Sequence, residues 1–433
     1  MSDLLTNSAV AGLADPDRRA AALAAAAEAG WPSPETEEWR YSPVNDLGVE
    51  GLSPAPPDPG AGAVAAVPDV PLAGRAATVT VIDGTVVSIE VGPGLVDKGL
   101  VVEALTDPAS LADLGVGAEE TTAYDLLHRA WSPAALLIRT PTGLTVREPV
   151  VVRTHHLTPG AVSFPHLVVE AGEGSDLTVV EHQTSAPGAG ASVPRADLRL
   201  GDAARLRYQL LQNLGRDHVQ LARQRSSIGA QATLVSGIAA FGGRYARFRS
   251  DSALRGRGGT ANLVAAYYGD GNQIHDFRTF QHHHARNTRS DLLFKGAQDG
   301  SSGSIYTGMI HIHPDGAGSN AFQTNRNIKL GPDAWAWSVP NLEIENNDVR
   351  CSHASTVSPV DADQQFYLQA RGVPPVAADR LIVAGFFDEV IERLPAAELR
   401  AEVRRLIAAK LDGRAAAVAN DDDAAVDAGE VRP

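Results

Sequence analysis

Four short stretches decide the fold: GSDLTVV at Gly174–Val180, GDAARLRY at Gly201–Tyr208, GAQATLV at Gly229–Val235 and GGTANLVA at Gly258–Ala265. In each, a glycine and a few small or polar residues lead into a run of alternating apolar side chains. A period of two puts successive side chains on opposite faces, which is strand geometry and excludes helical repeats. The leading glycines fall 27, 28 and 29 residues apart, close to a fixed period. A repeat of that length, made of strands and turns without intervening helices, predicts a β-solenoid whose turns stack like residues on like. A jelly roll or cupin barrel is the competing architecture. GPDAWAW at Gly331–Trp337 reads as a later member of the series.

On the N-terminal side, Ser2–Gly30 reads as helix, with Asp15 and Pro16 as cap and first-turn proline and Gly30 as the stop. Gly30–Val44, with its prolines and two tryptophans, reads as an ordered loop pinned onto a neighbour. Leu52–Ala66 is rich in Pro, Gly and Ala and predicts a flexible connector. Strands around the Asp83-Gly84 turn are expected over Ala77–Val91, and a helix over Ala123–Trp131. Beyond Pro359 apolar residues take helical spacing. One helix is capped by Asp361 and ends at Gly372, a second spans Ala377–Leu394 and a third Glu398–Leu411, before a disordered acidic tail with Asp421, Asp422 and Asp423. The expected organisation is mainly β: a helical and mixed region over 1–135, a β-solenoid core over 136–357 and a helical region over 358–433.

Composition limits the function. The 37 basic and 52 acidic residues give a net charge of -15, which repels nucleic-acid phosphates and anionic membranes. A single cysteine excludes a disulfide framework and fits a cytosolic protein. The N-terminus carries no secretory pattern, and no window reaches the roughly 18 to 20 apolar residues of a membrane span. No phosphate-loop motif G-x-x-x-x-G-K-[ST] occurs, so nucleotide hydrolysis is not expected of this chain. H-E-x-x-H, C-x-x-C and G-x-S-x-G are absent too.

Two constellations can carry chemistry. His275, Asp276, His282, His283, His284, His311 and His313 form the densest metal-capable set. On strands, His282 with His284, or His311 with His313, project to one face and offer two imidazoles to one ion. That arrangement would suit a mononuclear metal-dependent enzyme; the same residues also read as polar strand positions on an outer face or at a subunit interface. Cys351 and His353, likewise two apart, put a thiol and an imidazole on one side of a strand. They suit iron or zinc only if further ligands arrive from elsewhere, because an iron-sulfur cluster needs about four. A buried thiol beside a hydrogen-bonded histidine is the alternative.

The runs Phe322-Gln323-Thr324-Asn325-Arg326-Asn327, Glu343-Ile344, Asp348-Val349-Arg350-Cys351-Ser352-His353-Ala354 and Gln365-Phe366-Tyr367-Leu368-Gln369-Ala370-Arg371-Gly372 resemble the C-terminal signature of the SufB/SufD family of iron-sulfur cluster assembly proteins. His283-x-Ala285-x-x-Thr288-x-Ser290 and Glu38-Trp39-Arg40-Tyr41 add to the resemblance, and the single cysteine is similar to the SufD branch. The resemblance implies a right-handed parallel β-helix with helical flanks, in a cytoplasmic, non-catalytic scaffold subunit of a SUF complex. It implies a SufB-like partner joined through the β-helix, and a SufC-type ATPase docked on the C-terminal helices through Phe366, Tyr367, Arg371, Phe386 and Phe387. The ATPase activity is expected in that partner. It also implies His353, with Cys351, as ligands of an iron-sulfur cluster or iron at the SufB/SufD junction, with no cofactor held by this chain alone. A homodimer is plausible for the isolated chain.

Overall fold

The structure is a computed structural model and describes residues 4, 10, 15–47, 49, 51–60, 62–107 and 122–429, with side chains to residue 414. The first described helix, α1 (Pro16–Ala29), is capped by the Asp15 side chain, which accepts from the Arg18 N–H at 3.3 Å, and it stops at Gly30. Most of the expected helix before Asp15 lies outside the described residues. Helix α2 (Ala123–Trp131) has the predicted bounds and is capped by Thr122.

The core is a parallel β-helix of two facing sheets. In chain order its strands are β1 (Ala77–Ile82), β2 (Ala135–Thr140), β3 (Val150–His156), β4 (His166–Ala171), β5 (Asp176–Ser185), β6 (Arg195–Leu200), β7 (Arg205–Asn213), β8 (His218–Ile228) and β9 (Thr233–Ala240). They continue with β10 (Tyr245–Leu254), β11 (Thr260–Gly269), β12 (Ile274–His283), β13 (Arg289–Gln298), β14 (Gly303–Ile312), β15 (Asn320–Lys329), β16 (Trp335–Ile344) and β17 (Arg350–Pro359). Even-numbered strands pair in one sheet and odd-numbered strands in the other, so each turn of the chain contributes one strand to each.

Register carries the periodicity seen in the sequence. Asp176, Arg205, Thr233, Thr260, Arg289, Asn320 and Arg350 stand in one column of the odd sheet, advancing 27 to 31 residues per turn. The four decisive glycines all precede odd strands. Gly331 does not continue their series: it precedes the even strand β16 and stacks at the opposite corner, where a Cβ on it would come 2.8 Å from the Gly300 nitrogen. Each turn has two corners, and the repeat read from the sequence tracks only one.

Both outer faces are covered. The N-terminal segment and α2 coat the even sheet through Trp39, Val44, Tyr124, Leu127 and Trp131, packed on Val162, Phe164 and Tyr245. The loop Gly30–Val44 is pinned as expected: the Arg247 guanidinium lies 3.7 Å from the Trp39 ring centroid, and Ser42 Oγ donates to Asp276 Oδ2 at 2.6 Å. The expected connector is partly structured, because Ser53–Pro54 pairs in parallel with Ala161–Val162. Ala77–Ile82 and Thr85–Val91 form the expected hairpin, and β1 also joins the odd sheet beside β3.

The odd sheet is coated by helices. After α3 (Ala362–Gln369), helices α4 (Pro375–Glu392) and α5 (Arg400–Gly429) lay Val383, Phe387, Val390, Val403 and Ile407, with Leu399 from the turn between them, on Leu211, Val264, Tyr268 and Leu293. Gly237 lets this layer approach, since a Cβ there would meet Pro395 Cδ at 2.4 Å. The α5 helix runs on past Leu411, where the third helix was expected to end.

Candidate functional site

At its C-terminal end the β-helix is open, since β16 and β17 end the two ladders with no strand beyond them among the described residues. Inward-facing columns explain what is exposed there. One runs Leu177, Leu206, Leu234, Ala261, Ser290, Ala321, Cys351; its neighbour runs Val179, Tyr208, Ser236, Leu263, Leu292, Gln323, His353. Cys351 and His353 therefore occupy core positions of a turn that has no successor to bury them. They share one face, as their spacing predicts. Cys351 packs against Ile310, Ile312 and Ala321, and burial pushes its thiol up to about 11. A thiol in that state becomes a metal ligand only on losing its proton. His353 is exposed. Among the described residues, no further His, Cys or carboxylate completes a three-ligand set with them.

Sequence reasoning missed the polar lining one turn behind. Gln323 is buried beneath His353 with both side-chain polar atoms unpartnered. Tyr267 Oη donates to Asn327 Oδ1 at 2.8 Å and accepts from Asn325 Nδ2 at 3.1 Å. The signal was present in Gln323-Thr324-Asn325-Arg326-Asn327, whose alternate polar residues face inward.

The histidine set separates by face. His283 is interior, with its nitrogens 2.8 Å from Thr288 Oγ1 and 2.9 Å from Ser290 Oγ, so that motif is a hydrogen-bonded corner of the β-helix. His275 is also interior. Asp276 accepts from Arg278 Nε at 2.7 Å and from Arg247 Nη1 at 3.0 Å, which makes it a structural carboxylate. Burial alone would raise its pKa; the two guanidiniums overcome this and hold it below the usual range. The remaining four, His282, His284, His311 and His313, converge on the outer face of the even sheet, next to Glu345. Burial, then the neighbouring His313, pushes His284 down to about 4.

The expected docking residues also divide. Phe366 is 74% and Tyr367 55% exposed, and the Arg371 guanidinium lies 3.6 Å from the Tyr367 ring centroid. Phe386 is half-buried over Lys295, whose Nζ donates to the Phe386 carbonyl at 2.9 Å. Phe387 is removed from the surface set: it is fully buried in the layer between α4 and the odd sheet. Leu381, expected from its spacing on the apolar side of this helix, is exposed on α4, as is Val376. Between α3, α4 and the last turn lies an open groove of about 980 Å³, bordered by Arg326, Thr356, Tyr367, Leu368, Leu381 and Phe386.

Comparison with known proteins agrees with this architecture. Residues 153–386 match the SufBD core domain of SUF system FeS cluster assembly. An iron-sulfur cluster assembly SufBD family protein of Mycobacterium bovis is 32% identical over 288 residues, covering 64% of this chain and 72% of that one. The iron-sulfur cluster assembly protein SufD of Bacillus subtilis is 25% identical over 341 residues, covering 76% and 78% of the two chains. SufD of Escherichia coli is 27% identical over 257 residues, covering 57% and 59%. With a β-helix whose core positions surface at an open last turn, and a family match across most of that β-helix, the chain belongs to the SufB/SufD family of iron-sulfur cluster assembly proteins and is most like SufD.

Proposed function

We propose that this chain is a non-catalytic scaffold subunit of a SUF assembly complex, joined to a SufB-like chain at the open end of its β-helix and to a SufC-type ATPase through α3 and α4. The observation that carries the reading is the last turn. β16 and β17 are each ten residues long and end their ladders, with Trp337, Ile344 and Val357 exposed. Long uncovered edges with apolar side chains are ready templates for another chain's strands. Cys351 and His353 stand at that edge with too few ligands of their own. A partner bringing the remaining ligands would complete a site for a nascent cluster or iron, which is cargo of the assembly.

The ATPase interface rests on Phe366, Tyr367 and Arg371, which are exposed, with Leu381 beside them. Aromatic residues and arginine dominate the energetics of protein interfaces. Nucleotide hydrolysis belongs to the docked subunit in this reading.

Co-expression with SufB-like and SufC-like chains tests it. The three should co-purify, and Val357→Lys at the edge should release the SufB-like chain. His353→Ala should leave the complex assembled but lower its yield of matured cluster. Recovery of this chain without either partner would refute the scaffold reading, and undiminished maturation in His353→Ala would remove the ligand role. The isolated chain is expected to pair with a second copy through the same edge, and its solution mass separates that state from a monomer.

A further inference from the structure

The outer face of the even sheet holds a second arrangement on β12 and β14, the two strands behind the edge strand β16. Along a strand, residues two apart lie about 6.6 Å from each other, and stacked strands lie about 4.8 Å apart. The β-helix therefore arranges His282, His284, His311 and His313 as a two-by-two grid, with His282 directly beside His311 in the β12–β14 register. Ring centroids are 3.8 Å apart for His311 and His313, 4.0 Å for His284 and His313, and 5.7 Å for His282 and His313.

We infer that His282, His284 and His313 form a binding site for one divalent transition-metal ion of the borderline class, with Glu345 holding His311 aside from it. One ring nitrogen from each of the three histidines lies within 4.8 Å of the others. Tetrahedral bonds of about 2.0 Å place ligand nitrogens about 3.3 Å apart, so closing the set requires the stacked His284 and His313 rings to turn as well as to shift by roughly an ångström. An independent feature points to the same atom: His313 Nε2 is buried and has no hydrogen-bond partner. Buried polar atoms are almost always satisfied, and the His284 and His311 rings stack against this imidazole.

Glu345 decides the division of roles. Its Oε1 is 2.6 Å from His311 Nε2, which commits that imidazole, and 4.0 Å from His313 Nδ1. At 4.0 Å the carboxylate makes no hydrogen bond to His313 and acts on that imidazole only through its negative charge. Glu343, 3.9 Å from His311 Nδ1, adds negative charge on that side, while Arg255 is the nearby opposing cation. An imidazole set beside a carboxylate selects zinc, nickel, cobalt, copper or iron(II) over calcium or magnesium. Three protein nitrogens leave a fourth coordination position to solvent. The site lies apart from Cys351 and His353, so the assembly reading and this one stand or fall separately.

The test uses the untagged full-length chain, stripped with a chelator and titrated with cobalt(II), then with zinc(II) in competition. The expected result is one cobalt per chain with the visible absorption of a tetrahedral ion, displaced by zinc. His284→Gln and His313→Gln should each weaken binding by more than the roughly 100-fold that loss of an outer-shell partner costs. Cys351→Ser and His353→Ala should leave binding unchanged. Should the histidine variants misfold, zinc protection of His284 and His313 against diethyl pyrocarbonate in the unmodified chain gives the same reading. No binding at micromolar metal, or binding and protection indifferent to these residues, overturns the proposal.

Discussion

His218, at the start of β8, is buried with Nε2 3.0 Å from Ser192 Oγ, and burial pushes its imidazole down to about 4. His275 is interior as well, and burial, then the Lys410 ammonium, takes it down to about 3. Both titrate near 6.5 once the chain unfolds, so below that pH the unfolded state binds protons the folded state refuses. Their contribution to stability is complete above about pH 6.5 and is lost as pH falls towards about 4 for His218 and about 3 for His275, at about 1.4 kcal/mol per unit for each group. Urea midpoints measured from about pH 7 to about pH 5 should fall, and His218→Gln should make the fall shallower. At this scale the sequence revealed which residues share a face: Cys351 with His353, and His282 with His284. It did not reveal pairing across turns, so Asp276 looked like a metal ligand. Counting one period back from Asp276 reaches Arg247, its register partner, and that signal would have assigned the carboxylate to an ion pair.

Helix α4 shows what an apolar run tells and what it conceals. Its helical periodicity was legible, yet Phe386 and Phe387 are adjacent and differ in fate through one step of helical rotation. Phe387→Ala empties a packed site between α4 and the odd sheet and should cost about 3 to 5 kcal/mol in chemical denaturation. Phe366→Ala removes a side chain that touches mostly solvent. It should change stability by less than about 0.5 kcal/mol, while lowering affinity for the ATPase subunit by more than about 10-fold. A Phe366→Ala chain that docks the ATPase unchanged would detach α3 from that interface. The Gly331 misreading has a related origin, because similar glycine-led runs enter strands of both sheets and only the three-dimensional register tells the corners apart.

For the whole molecule, the period and the alternation favoured a solenoid over a jelly roll or cupin barrel, and helical spacing beyond Pro359 marked the C-terminal flank. Which sheet each flank covers was not legible, because that depends on contacts such as Trp39 with Arg247 and Val383 with the odd sheet, far apart in sequence. Solenoid stability is a sum over turns and their interfaces with neighbouring turns. Here the inward columns pass from leucine and valine in the early turns to serine, glutamine, cysteine and histidine in the last. The final turn has a neighbour on one side only. Amide hydrogen exchange should therefore be slowest over β7 to β11 and fastest over β16 and β17, and a bound SufB-like chain should slow it at β17 first. Uniform protection along the β-helix of the isolated chain would contradict this. The gradient gives the chain a preferred direction of fraying, from the open last turn, which in the proposed function is the end that would handle cargo, and occupancy of that end can be timed from the exchange of a single strand.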